Sequence, residues 1–122
     1  MRNKAMIVDD DFTICEIGKE MFEIFDVEAE YAQTMEEAVT YFTANHSEIG
    51  LIIFDLNLEE CTGIEVFEAL KQIDPEFVGI MASGQFIDED APKYTAIGFK
   101  EIIMKPYNLN KLKEIITKYL GA

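Results

Sequence analysis

Apolar residues follow two alternating patterns along this chain. Short dense runs such as Ala5-Met6-Ile7-Val8 and Leu51-Ile52-Ile53-Phe54 have the length of strands. Between them, apolar positions recur every three or four residues, as on one face of a helix. Lys4 to Val8 reads as a buried strand, and Ile14, Ile17, Met21 and Phe25 mark the inner face of a first helix. Val27 to Ala32 is a second, weaker strand. Thr34 and Glu37 have the spacing of a capping box, and a helix follows to about Asn45, with His46 at its end. Leu51 to Phe54 is apolar throughout, as a strand covered on both faces should be. Gly63 precedes a helix carrying Val66, Phe67, Leu70 and Ile73, which Pro75 ends. Phe77 to Ala82 is the fourth strand. A short helix starts at the acids of Asp88 to Asp90, tolerates Pro92 in its first turn and stops before Gly98. Phe99 to Met104 is the fifth strand. Asn108 caps a last helix with Leu112, Ile115, Ile116 and Tyr119 inside. Strands alternating with helices predict an α/β fold with a parallel sheet.

The length, 122 residues, suits a single domain, 1–122, with a core of its own. No stretch approaches the roughly 20 apolar residues that cross a bilayer, and no signal-type segment opens the chain, so a soluble cytoplasmic protein is expected. Cys15 and Cys61 lack metal-type spacing and read as reduced thiols. The net charge of −14 would be repelled by a phosphate backbone, which argues against direct nucleic-acid binding.

Candidate chemistry clusters where the strands end. Asp9, Asp10 and Asp11 follow the first strand, Asp55 the third, Ser83 the fourth and Lys105, before Pro106, the fifth. In an open parallel sheet, ligands sit outside the carboxyl ends of the strands. The carboxylates and one ammonium would then meet at one place, a site for a divalent cation and a phosphate-like group. Magnesium, or manganese, fits: it prefers hard oxygen ligands and keeps several waters, so two or three carboxylates suffice. A metal and an ammonium would also let Asp55 form an acyl phosphate. Ser83 has a hydroxyl to offer a phosphate oxygen, and Pro106 holds Lys105 extended. Asp11 fits the cap of the first helix. Taken singly, each signal also has an ordinary reading as a turn or cap; it is their joint order that carries weight.

In that order the chain resembles the receiver domain of bacterial two-component response regulators, of the CheY type. The resemblance spans the whole chain through Ile7-Val8-Asp9-Asp10-Asp11, Ile53-Phe54-Asp55-Leu56 with Gly63, Ile80-Met81-Ala82-Ser83-Gly84 and Met104-Lys105-Pro106-Tyr107. It implies a doubly wound, flavodoxin-like sheet of five parallel strands in the order 2-1-3-4-5, for which CheY is the standard example. It makes Asp55 the phosphoacceptor, Asp10 and Asp55 direct magnesium ligands, Asp9 a ligand through water and the Asn57 backbone carbonyl a further ligand. Ser83 becomes the switch hydroxyl and Lys105 the phosphate-binding lysine.

Three positions depart from the family pattern: Glu59 replaces a usual proline, Gly84 a usual alanine, and Ile102 the usual switch aromatic. Output is expected to pass through packing of Ile102 and Tyr107 on an outer face beside the fourth helix, near Tyr94. Asn57 and Gln85 flank the expected path of attacking water, which predicts measurable self-dephosphorylation. The function implied is a phosphorelay switch rather than a turnover enzyme. It would be charged by a sensor histidine kinase or histidine phosphotransfer protein, with the first helix as a docking surface. Its output would be a downstream protein target or self-association through the face of helix 4, strand 5 and helix 5. Rival readings are a metal-dependent phosphohydrolase with an aspartate nucleophile, which the neutral Asn57 disfavours, and a degenerate receiver that only binds protein. The chain would be a stand-alone receiver or one cut from a longer regulator.

Overall fold

Parity along the strands decides which residues face which layer. A computed structural model of the chain describes residues 2–84 and 91–121; the predicted roles of Gln85 and of Asp88 to Asp90 lie outside the described residues. The elements run β1 (Lys4–Val8), α1 (Phe12–Ile24), β2 (Ala29–Ala32), α2 (Met35–Asn45), β3 (Ile49–Asp55), α3 (Gly63–Ile73), β4 (Val78–Ser83), α4 (Ala91–Ile97), β5 (Glu101–Met104) and α5 (Leu109–Leu120). A single 3-10 turn, His46–Glu48, leads into β3. The strands form one parallel sheet in the order β2-β1-β3-β4-β5, as expected.

Side chains alternate across the sheet. Met6, Val8, Ile52, Phe54 and Met81 face the layer of α2, α3 and α4, where Phe54, Phe67, Phe77 and Phe99 meet edge to face or tilted. Ala5, Ile7, Leu51, Ile53, Ala82 and Ile103 face α1 and α5. All seven residues of β3 are buried, which is why its sequence is an apolar run rather than an alternation. Among the described residues no helix is long and apolar enough to cross a membrane.

Three local expectations need correction. The buried face of α1 is Cys15, Gly18, Met21 and Phe22, whereas Ile17 is 48% exposed. α1 carries two apolar stripes, and the one with the small residues turns inward because the sheet is close there. A Cβ on Gly18 would come within 2.6 Å of Ile7 and 3.0 Å of the Tyr107 ring. At α2, Thr34 accepts from Glu37 N, but Glu37 reaches back to Gln33 N rather than to Thr34. The full reciprocal box is at α3, between Thr62 and Glu65. His46 is more than a helix end: its Nδ1 meets Asp74, whose carboxylate also pairs with Arg2 at 2.9 Å.

Candidate functional site

Asp9, Asp55 and Lys105 continue the parity of Ile7, Ile53 and Ile103, so all three side chains leave the sheet edge on the same side. Strand register brings them level. Val8 pairs with Phe54, Asp55 with Ala82, and Ser83 with Met104. Lys105 N then donates to the Ser83 carbonyl at 2.9 Å, which fixes the lysine backbone beside β4. Its Nζ lies 2.9 Å from Asp9 Oδ2 and 3.3 Å from Asp55 Oδ1. Asp10 completes the group: Asp9, Asp10 and Asp55 each offer a carboxylate oxygen, all within 4.8 Å of one another.

The electrostatics leave this cluster short of positive charge. Asp9 is fully buried and Asp55 nearly so. Burial first, then the charge of Asp9, push the Asp55 carboxyl above its ordinary range, against Lys105 and the Asn57 N–H. Lys105 is held above its ordinary value: burial alone would lower it, but Asp9 and Asp55 outweigh that. One ammonium thus faces three carboxylates. Among the described residues, Asp9 Oδ2 is met by the Lys105 ion pair and by no further hydrogen-bond donor. A set of hard oxygen donors with excess negative charge fits a divalent cation such as magnesium.

The loop after β3 closes tightly under the site. Gly63 N donates to Leu56 O, and Leu58 N to Cys61 O, both at 2.9 Å. A Cβ on Gly63 would fall 2.0 Å from the Asp55 carbonyl, so only glycine allows this approach. Ser83 is buried at the end of β4, and Asn57 stands two residues past Asp55 in this loop. A crevice of about 150 Å³ lies alongside, lined by Asp10, Gln33, Thr34, Leu58, Glu59 and Cys61. Burial, then Glu65 and Glu60, raise the Cys61 thiol, which argues against an oxidation sensor. Cys15 is pushed up to about 12, first by burial and then by Asp9, and its Sγ donates to the Asp9 carbonyl.

The expected output pair is split. Ile102 packs with the layer that holds α4 and the buried Tyr94. Tyr107 packs on the opposite layer, against Gly18 of α1, with its hydroxyl buried and without a hydrogen-bond partner among the described residues. The reason is parity: Tyr107 follows Ile103 and Lys105, not Ile102. A groove of about 770 Å³ runs between β5 and α5, lined among others by Ile102, Met104, Lys105, Tyr107, Lys111 and Glu114, so that it touches the site's lysine but not the cluster of Asp9, Asp10 and Asp55. A cluster that small suits an ion and a phosphoryl group better than an organic ligand. Gln33, whose amide touches the Asp10 carbonyl, had no signal in the sequence.

Known proteins resemble this chain in sequence and fold. The curated transcription factor SKN7 of Chaetomium thermophilum is 20% identical over 118 residues, 97% of this chain but 15% of that protein, so the chain spans a small part of its length. A CheY-like response regulator receiver domain from Methanospirillum hungatei is 30% identical, with a TM-score of 0.81 over 97% of this chain and 93% of that one. The CheX-CheY-BeF3-Mg complex of Borrelia burgdorferi contains a chain at 21% identity and TM-score 0.86, over 94% of this chain and 87% of that one. The description "response regulator receiver domain" matches residues 5–117, from β1 into α5, and takes in every carboxylate and the lysine of the cluster. By fold, by site and by this match, the chain belongs to the family of response regulator receiver domains, a family of signalling domains.

Proposed function

We propose that the chain is the phosphoacceptor of a two-component phosphorelay, charged on Asp55. The single observation that carries this reading is Lys105 bridging Asp9 and Asp55 beside Asp10. A bound Mg²⁺, held by Asp10, Asp55 and the Asn57 carbonyl with Asp9 acting through water, would draw phosphoryl charge and allow the anionic nucleophile to approach. Support comes from the acidic cluster and from the Borrelia CheY structure, which was solved with Mg.

In the transfer, an Asp55 carboxylate oxygen attacks phosphorus in line. The new O–P bond forms as the P–N bond of a phosphohistidine breaks, and the imidazole leaves with the electron pair. Lys105 neutralises an equatorial oxygen, and the Ser83 hydroxyl donates to another. The donor would be a sensor histidine kinase or phosphotransfer protein docking on α1. The signal would leave through the α4-β5-α5 face, to a protein target or a second copy. The acidic surface of this chain, acting in the cytoplasm, would not itself bind nucleic acid.

Mass spectrometry after incubation with acetyl phosphate and Mg²⁺ tests the reading. One phosphoryl group, labile to hydroxylamine and absent from Asp55→Asn, is expected. Phosphoryl found on Ser83, or none on the wild type, overturns it.

A further inference from the structure

The two peptides that flank Asp10 are both tethered. The carbonyl before it, that of Asp9, accepts from Cys15 Sγ at 3.2 Å. The peptide after it is held at both ends. Asp11 N donates to Asp9 Oδ1 at 2.9 Å, and the Asp10 carbonyl accepts from Gln33 Nε2 at 3.3 Å. Gln33 comes from a different loop. It follows the last rung between β1 and β2, where Val8 pairs with Ala32 and Asp9 N donates to Ala32 O at 3.1 Å. Its own N–H donates to Glu37 Oε1 at 2.9 Å, which anchors it to the first turn of α2.

This matters because Asp10 differs from its neighbours. Asp9 and Asp55 share Lys105, whereas Asp10 forms no ion pair among the described residues. Without a counter-charge, repulsion from two nearby carboxylates favours turning Asp10 outward. What opposes this is the backbone, since fixing the peptide planes on either side of a residue fixes the direction of its Cβ. There is room for such a turn, because a crevice opens beside Asp10, with Gln33, Thr34, Leu58, Glu59 and Cys61 among its walls.

We infer that Gln33 is a positioning residue for the divalent cation: its amide holds the Asp10 peptide so that the Asp10 carboxylate stays aimed at the cluster. This rests on the proposed magnesium site and adds to it a residue outside the ligand set, on the loop between β2 and α2. It links cation affinity to the first turn of α2, through Glu37.

The test is calorimetric Mg²⁺ titration of the full chain. Gln33→Met keeps the length and loses the donor. Val39→Ala, on the inner side of α2 but away from the loop, serves as a control for general loosening. Outer-sphere partners of metal ligands commonly matter tenfold or more. Gln33→Met is therefore expected to weaken Mg²⁺ binding roughly tenfold, with Val39→Ala near wild type. At saturating Mg²⁺, the rate of acetyl phosphate labelling should return to the wild-type value, since the chemistry is untouched. Wild-type affinity in Gln33→Met, or equal weakening in Val39→Ala, overturns the inference while leaving the magnesium site standing. A wild type that takes up no Mg²⁺ overturns both.

Discussion

One ammonium serves two buried carboxylates, and the phosphoryl chemistry proposed here depends on how that sharing shifts. Lys105 lowers the cost of keeping Asp9 and Asp55 ionised, yet burial and Asp9 still raise Asp55. A raised carboxylate pKa means that acidification protonates the nucleophile earlier than an exposed aspartate would. These three residues, with Asp10, were legible because each stands at a strand end and the parallel sheet gathers strand ends. Tyr107 was not. Its position two residues past the lysine was plain, but which face it joins follows from parity with Ile103 and from the space that Gly18 leaves. Its hydroxyl is buried without a partner among the described residues, and burial, then the charges of Asp9, Cys15 and Asp55, hold its proton on firmly. A buried, unpaired hydroxyl costs about 1–3 kcal/mol, and removing it is neutral or stabilising. Tyr107→Phe should thus hold or raise the urea midpoint, by up to ~1 kcal/mol of stability. A loss of more than that amount would mean that the hydroxyl is satisfied in solution and contributes to the fold.

Among the elements, α1 taught most. Its pattern contains two apolar stripes, and periodicity alone favoured the one with the larger residues. Packing chose the other, because Cys15 and Gly18 are small enough to sit against β1 and the Tyr107 ring. Of the stripe that periodicity favoured, Met21 is buried and Ile17 is 48% exposed, while elsewhere on the helix Ile24 is 63% and Phe12 54% exposed. Exposed apolar groups on one helix next to the acidic site would suit the proposed protein donor, which would carry its phosphohistidine to Asp55. Ile17→Asp should change stability by less than ~0.5 kcal/mol, as surface substitutions usually do. It should slow phosphotransfer from the protein donor and leave labelling by acetyl phosphate unchanged. Equal slowing with both donors would place the defect in the site, and no slowing with either would remove α1 from the docking surface. Capping was legible by spacing at α5, where Asn108 accepts from Lys111 N, and only half legible at α2, where Glu37 chose Gln33. The partner of a side chain one residue away is decided by loop direction, which spacing does not record.

At the scale of the molecule, the alternation of five strands and five helices was readable, and the order 2-1-3-4-5 came from likeness to a family rather than from pattern. Contacts that join distant segments were not readable at all: Arg2, His46 and Asp74 meet only because β1, the end of α2 and the end of α3 converge. The net charge was readable, and it has a consequence for folding. Part of the −14 is concentrated in Asp9, Asp10 and Asp55, within 4.8 Å, with Lys105 as the close cation. Unfolding separates these charges, so the folded state carries the repulsion and a cation that binds only the folded state relieves it. Linkage sets the size: Mg²⁺ in large excess over its dissociation constant should add about 1–3 kcal/mol. Asp10→Ala removes one of the repelling charges and one ligand together. Without Mg²⁺ it should therefore be at least as stable as wild type, and with Mg²⁺ it should gain little. Urea denaturation of both proteins, with and without millimolar Mg²⁺ at constant ionic strength, checks this. The constant ionic strength separates binding from general screening, which acts on the whole acidic surface. A variant that is weaker than wild type without Mg²⁺, or that gains as much from it, would mean that the carboxylates are not held in mutual repulsion and that the cation acts elsewhere.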